Sequence, residues 1–233
     1  MKKFPDESMD MILADPPYNI SRENDRRDRS KANSKIMRRN KELNYDFGEW
    51  DNMGRREFLN FTNNWLVECC RVLKKNGTIA SFFSKEDVNY LGWQAVKYGV
   101  RTRTIISWHK KNPVPSFRKV NYLSACEFIW LGSKGIWTFN FSKQSQMHNF
   151  YETPNASSYG ETTHPTEKPQ ELISRFIQIH SNPSELILDP FLGSGTTAVV
   201  AKQLGRNYIG IELNKDYVEM AKQRLANVTE PMF

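Results

Sequence analysis

The chain is poor in cysteine. Its 233 residues carry three, Cys69, Cys70 and Cys126. Their spacing suits neither a zinc site nor a disulfide framework, so no metal centre is expected and a reducing cytosol is the compartment they imply. Cys69 and Cys70 fall within a helical apolar pattern, which predicts core packing. Long hydrophobic runs are also missing. None approaches the roughly 20 residues of a membrane span, and the N-terminus has no apolar signal core. No internal repeat and no long low-complexity tract is present. What is present is moderate positive charge, +7 with a pI near 9.2, which fits a polyanionic partner.

Much of that charge lies in residues 21–50, where Arg22, Arg26, Arg27, Arg29, Lys31, Lys35, Arg38, Arg39 and Lys41 alternate with a few acids. A segment this long without a structural pattern inside a compact domain is functional or a solvated loop. Phosphate contacts are the functional reading. A second basic stretch, Lys110 to Arg118, is punctuated by prolines.

The remainder alternates strand and helix. Met9 to Ala14 reads as a buried strand. Arg55 to Lys75 reads as an amphipathic helix capped by Asn76-Gly77, and Thr78 to Phe83 as a strand. A helix over residues 85–98 stops at Gly99, and Arg103 to Trp108 is a strand rich in β-branched residues. Ala125 to Leu131 and Gly135 to Phe141 are predicted to form an antiparallel strand pair. Residues 142–163 read as a polar surface insertion. An apolar face of Leu172, Ile173, Phe176, Ile177 and His180 marks a helix, on which His180 is a partly buried packing residue. Leu186 to Leu188 and Tyr208 to Glu212 are strands, and Lys215 to Val228 is the closing helix. This alternation predicts an α/β fold, a doubly wound and mostly parallel sheet in a single domain over residues 1–233.

Two strand tips carry the chemistry. The first strand runs into Asp15-Pro16-Pro17-Tyr18. Two prolines remove two donors and fix φ, so the carbonyls there are rigid acceptors. A carboxylate beside them and an aromatic face suit a planar ligand bearing an amino group. A proline-rich turn closing a strand is the other reading of these four residues. The second tip is Asp189-Pro190-Phe191-Leu192-Gly193-Ser194-Gly195-Thr196-Thr197, followed by a helix. Strand, glycine turn and helix together suit a nucleotide-like ligand. The turn lacks the Gly-Lys-Ser/Thr of a P-loop and the third glycine of the dinucleotide fingerprint. Asp189 would repel phosphate and attract an ammonium. Glu212, at the next strand tip, is placed to accept hydrogen bonds from ribose hydroxyls. An adenosine with a cationic amino-acid tail, S-adenosylmethionine, fits these features.

Together the two motifs resemble those of the amino-group DNA methyltransferases, which act on N6 of adenine or N4 of cytosine. Their order, Asp15 motif early and glycine turn late, resembles the permuted beta class of restriction-modification enzymes. His164-Pro165-Thr166-Glu167-Lys168-Pro169 resembles that class's motif before the cofactor strand. The resemblance implies a Rossmann-like sheet, S-adenosylmethionine as cofactor, and double-stranded DNA as substrate, with homodimers frequent. It implies cofactor contacts from His164, Thr166, Lys168, Asp189, Pro190, Phe191, Gly193, Ser194, Gly195, Thr196, Thr197 and Glu212, with Phe191 on the adenine side. His164 is expected to hydrogen-bond structurally near the cofactor. Lys168 is expected either to bind the methionine carboxylate or to be exposed. The target base would be flipped from the duplex. Tyr18 would stack on it while Asp15 and the Pro16 carbonyl accept from its amino group, Pro17 keeping the tip rigid.

The family usually has one more strand before the Asp15 strand. Only eight residues precede Met9, so a sheet lacking one N-terminal strand is expected. Asp15 favours adenine, because the family's cytosine enzymes more often carry serine there. The rivals are an RNA or protein methyltransferase, which more often shows asparagine at that position, and a catalytically degenerate DNA-binding module. Segments 21–50 and 142–163 are expected to contact DNA.

Overall fold

The computed structural model describes residues 1–19, 53–113, 122–154 and 167–229. The chain divides into two compact units, one of Met1–Pro16 with Leu66–Phe233 and one of Pro17–Trp65. In the second unit, Asn19 and Met53 clasp each other. The Asn19 side-chain amide donates to the Met53 carbonyl at 3.0 Å, and its oxygen accepts from the Met53 N–H at 2.8 Å. Helix α1, Arg55–Val72, begins in this unit and ends in the first.

The first unit is built on a seven-stranded sheet. In chain order its strands are β1 Met9–Ala14, β2 Leu73–Phe83, β3 Val100–Lys110, β4 Cys126–Lys134, β5 Phe150–Thr153, β6 Leu186–Asp189 and β7 Asn207–Gly210. Its helices after α1 are α2 Val88–Ala95, α3 Gln170–His180, α4 Thr196–Gln203 and α5 Lys215–Ala226. Across the sheet the order is β5-β3-β4-β2-β1-β6-β7. Every neighbouring pair is parallel except those of β4, which runs antiparallel to both β2 and β3. This is the doubly wound, mostly parallel architecture that the alternation predicted. β1 is flanked on both sides, so Met11, Ile12 and Ala14 are fully buried. β7 is an edge and is partly exposed.

Three local expectations are corrected. The antiparallel partner of β4 is not Gly135–Phe141. The run Ile129-Trp130-Leu131 is already paired on both sides, to β2 and β3, which leaves the following segment no strand edge to join. That segment instead packs beside α3. Asn140 N–H donates to the Ile179 carbonyl at 2.8 Å, and Trp137 stacks on His180 with ring centroids 4.9 Å apart. The helix expected to reach Lys75 ends at Val72, because Leu73 pairs with Met9 and joins β2. Asn76 then takes a left-handed φ of 70°. At Gly77 a Cβ would lie 2.8 Å from the Asp10 carbonyl oxygen, so only glycine allows this approach to β1. Finally, the surface insertion contains β5, which adds a parallel edge strand beside β3. The Trp108 indole N–H donates to the Thr153 hydroxyl at 2.9 Å and anchors that strand.

The apolar face of α3 is buried as its spacing predicts, with Leu172, Ile173, Phe176 and Ile177 at most 2% exposed. Phe176 meets Phe82 of β2 edge to face, ring centroids 6.2 Å apart. Cys69 and Cys70 are core residues. His180 is buried too, and burial lowers its pKa to about 4. The α3 packing matters for function because it fixes the segment that enters the helix, Glu167-Lys168-Pro169.

Candidate active site

Asp15 and Pro16 close the first part of the sheet unit at the C-terminal tip of β1. Pro16 is buried and Asp15 half-buried. Pro17 and Tyr18 begin the second unit. The Asp15 carboxylate meets an ammonium that the sequence did not assign to it. Lys168 Nζ lies 2.7 Å from Asp15 Oδ2 and 3.5 Å from Glu127 Oε2. Lys110 at the end of β3 ion-pairs with the other oxygen of Glu127. The Lys168 ammonium also sits 4.9 Å from the centroid of the Phe82 ring, a cation–π distance. Its side chain is 10% exposed, which corrects the alternative that it is exposed. Burial lowers the Lys168 pKa, but the carboxylates of Asp15 and Glu127 outweigh it and hold the ammonium above its ordinary value. For Glu127 burial pushes up, and the ammoniums of Lys168 and Lys110 outweigh it and hold the carboxyl below the usual range.

The glycine turn follows β6. Asp189 Oδ1 accepts from the Phe191 N–H at 2.9 Å, and the backbone of Asp189 accepts from Ile211 at 2.9 Å. Gly193 and Gly195 have φ of 53° and 90°, the left-handed region that glycine enters without steric cost. Glu212, two residues past β7, ties the turn down. One oxygen accepts from the Gly193 N–H at 2.9 Å, and the other accepts from Leu213 and Asn214 at 2.8 Å each. A carboxylate can accept about four hydrogen bonds, so Glu212 keeps capacity for a hydroxyl.

Behind the turn lies a second buried ion pair. Arg224 of α5 donates to Glu167 Oε1 at 2.7 Å, to the Ser194 carbonyl at 2.9 Å and to the Thr196 hydroxyl at 3.2 Å. Thr196 in turn donates to Glu167 at 3.0 Å. The two charged side chains are 12% and 6% exposed. Thus the segment before α3 grips both strand tips, Lys168 holding the β1 tip and Glu167 the β6 turn.

Asp189 is 5% exposed, and its pKa is pushed up to about 7. Burial is the main cause. The charges of Asp15 and Glu212 add to it, while hydrogen bonds from the Thr197 side chain and the Phe191 N–H oppose it. A buried carboxyl that two further acids push toward neutrality favours a cationic ligand. S-adenosylmethionine carries an ammonium and a sulfonium, so the donor set fits that cofactor. Asp189, Phe191, Gly193, Thr196, Thr197 and Glu212 would hold it, with an electrophilic methyl group as the chemistry it supplies. Among the described residues no group of three or more His, Cys, Asp or Glu is placed to hold a metal, and no helix is long and apolar enough to cross a membrane.

His164 and Thr166 lie outside the described residues, as do 21–50 and 155–163 of the expected DNA-contacting segments. Sequence reasoning missed Glu127, Glu167 and Arg224 as members of the site. Glu127 left a readable signal, a lone acid at the head of the apolar run Phe128 to Leu131. Arg224 left none, being one of several basic residues on the exposed closing helix. His109 of β3 pairs with Glu152 of β5 at 2.8 Å.

Solved structures share this fold. M1.HpyAVI, crystallised as a complex with SAM, superposes with a TM-score of 0.70 at 29% identity, over 94% of this chain and 89% of that one. The PvuII DNA methyltransferase (cytosine-N4-specific) has the same fold, with a TM-score of 0.74 at 21% identity over 98% and 84% of the two chains. The fold is that of the S-adenosylmethionine-dependent methyltransferases. A family model described as DNA methylase matches residues 9–223. Type II methyltransferase M2.MboI of Moraxella bovis is 35% identical over 98% of this chain and 85% of its own length. Type II methyltransferase M.HinfI of Haemophilus influenzae is 32% identical over 98% of this chain, which spans 66% of that relative's length. The chain belongs to the DNA methylase family of N6-adenine and N4-cytosine type.

Proposed function

We propose that this chain methylates N6 of adenine in duplex DNA as the modification enzyme of a restriction-modification system. The observation that carries the reading is the Asp15 carboxylate at the β1 tip, close enough to the cofactor turn for its charge to act on Asp189. An exocyclic amine is a poor nucleophile because its lone pair is delocalised into the ring. Asp15 and the Pro16 carbonyl accept its two N–H bonds and draw them out of the ring plane, which localises the lone pair. Positive charge grows on that nitrogen in the transition state, and Asp15 stabilises it. Tyr18, three residues along, supplies the stacking face for the flipped base. As the nitrogen–carbon bond forms, the carbon–sulfur pair leaves with sulfur and the surplus amino proton passes to solvent. The same reading makes the enzyme cytoplasmic and metal-independent.

The test is transfer of labelled methyl from S-adenosylmethionine to unmethylated mixed-sequence duplex DNA, followed by nucleoside analysis. Label in N6-methyladenine is expected. Label in N4-methylcytosine would overturn the choice of base, and absence of transfer by folded, cofactor-binding protein would overturn the activity. Asp15→Ala is expected to abolish transfer while S-adenosylmethionine affinity, read by calorimetric titration, stays within about twofold, since the variant loses a transition-state acceptor and its pair with Lys168 but none of the groups of the glycine turn.

A further inference from the structure

Every carboxylate that works by geometry needs its last torsion held. The torsion between Cβ and the carboxyl group is broad and roughly two-fold, so a side chain at a strand tip does not orient its own oxygens. Prolines 16 and 17 stiffen the backbone beside Asp15 but leave that torsion free. The structure supplies an anchor from elsewhere in the chain. Lys168 Nζ binds Asp15 Oδ2 at 2.7 Å, faces Glu127 Oε2 at 3.5 Å and lies over the Phe82 ring. Its backbone is restrained, because Pro169 follows it and stands at the start of α3, whose apolar face is buried. Four charges alternate along this row: Lys110, Glu127, Lys168 and Asp15. They sum to zero, which is what a row with three of its side chains 10–21% exposed requires. A lysine recruited only to hold a cofactor carboxylate would not need two carboxylates of its own.

We infer that Lys168 is a positioning residue for methyl transfer, fixing the orientation of the Asp15 carboxylate toward the target amino group, with Glu127 as the counter-ion that keeps the ammonium in place. This deepens the methyltransferase reading above and rests on it. It departs from the expectation that Lys168 binds the methionine carboxylate, and the two make opposite predictions. A lysine that orients Asp15 acts on the rate at saturating cofactor. A lysine that binds the cofactor acts on its affinity.

The test compares Lys168→Met with the wild-type protein by labelled-methyl transfer to mixed-sequence duplex DNA, with cofactor affinity measured separately by calorimetry. A misplacement of about 1 Å in a catalytic group costs about 100-fold in rate, so kcat is expected to fall about 100-fold while the S-adenosylmethionine Kd stays within twofold. Lys168→Arg, which restores a cation, is expected to recover at least about tenfold of the loss. Should Lys168→Met not fold, Lys168→Gln is judged by the same two criteria. An unchanged kcat, or a raised cofactor Kd with kcat intact at saturation, overturns the proposal. Asp15→Ala run alongside separates the failures. If that variant stays active, the reading of the site falls. If it is dead while Lys168→Met is fully active, only the role of Lys168 falls.

Discussion

Gly195→Ala probes how tightly the cofactor turn is built. Gly195 has a φ of 90° and stands immediately before α4. A Cβ there would lie 2.6 Å from the Ala221 Cβ and 3.0 Å from its Cα. Two costs follow. An L-residue held in the left-handed region costs about 1–2 kcal/mol, and overpacking against a backbone atom that cannot rotate away costs about 1–3 kcal/mol. Replacing glycine also removes freedom from the unfolded chain, worth about 0.4–1 kcal/mol in the opposite direction. The net loss is therefore about 1–5 kcal/mol, which for a chain of this size lowers Tm by roughly 2–20 °C. Urea denaturation without cofactor reads the stability. Titration with S-adenosylmethionine reads the displaced turn as weaker binding. Ala221→Gly removes the closest overlap but not the φ strain, and costs about 1 kcal/mol by itself inside α5, so the double-mutant cycle should show a favourable coupling of about 1 kcal/mol between the two sites. A Gly195→Ala protein within 0.5 kcal/mol of wild type and with unchanged cofactor affinity would refute this reading of the turn.

Two further outcomes are expected. Asp189 titrates at about 7 in the fold against about 3.9 when unfolded, so the native state binds that proton more tightly. Stability should fall as pH rises from roughly 4 to 7 and level off above. Asp189→Asn should flatten that span by a few kcal/mol, and a denaturation series across pH that keeps its slope in the variant contradicts the assignment. Because the ionised carboxylate attracts a cation, cofactor affinity should rise with pH up to about 7, with proton uptake by the buffer visible in calorimetry. Arg224→Met removes the partner of the buried Glu167 and should cost about 3–5 kcal/mol. The double variant with Glu167→Gln should be more stable than Arg224→Met alone, and urea denaturation distinguishes the two.

Much of the site was legible because its chemistry is written in short contiguous runs. Asp15-Pro16-Pro17-Tyr18 and Asp189 to Thr197 each follow a buried strand, and strand tips are where an open α/β sheet places ligands. The antiparallel pairing was misread for a physical reason. Ala125–Leu131 and Gly135–Phe141 are adjacent runs of similar pattern, and nothing local says that β4 inserts between β2 and β3. The end of α1 was misplaced similarly, since Leu73 continues the helical spacing yet is captured by Met9 across the sheet.

The sequence by itself determined the alternating architecture, the two strand-tip motifs and the order in which they occur, because periodicity and turn chemistry are local properties. Only the tertiary structure decided which charges meet. Asp15 and Lys168 are 153 positions apart in the chain, and Glu167 and Arg224 are 57. Their pairing depends on α3 being packed against β2 through Phe176 and Phe82, a long-range fit that no spacing within the chain encodes.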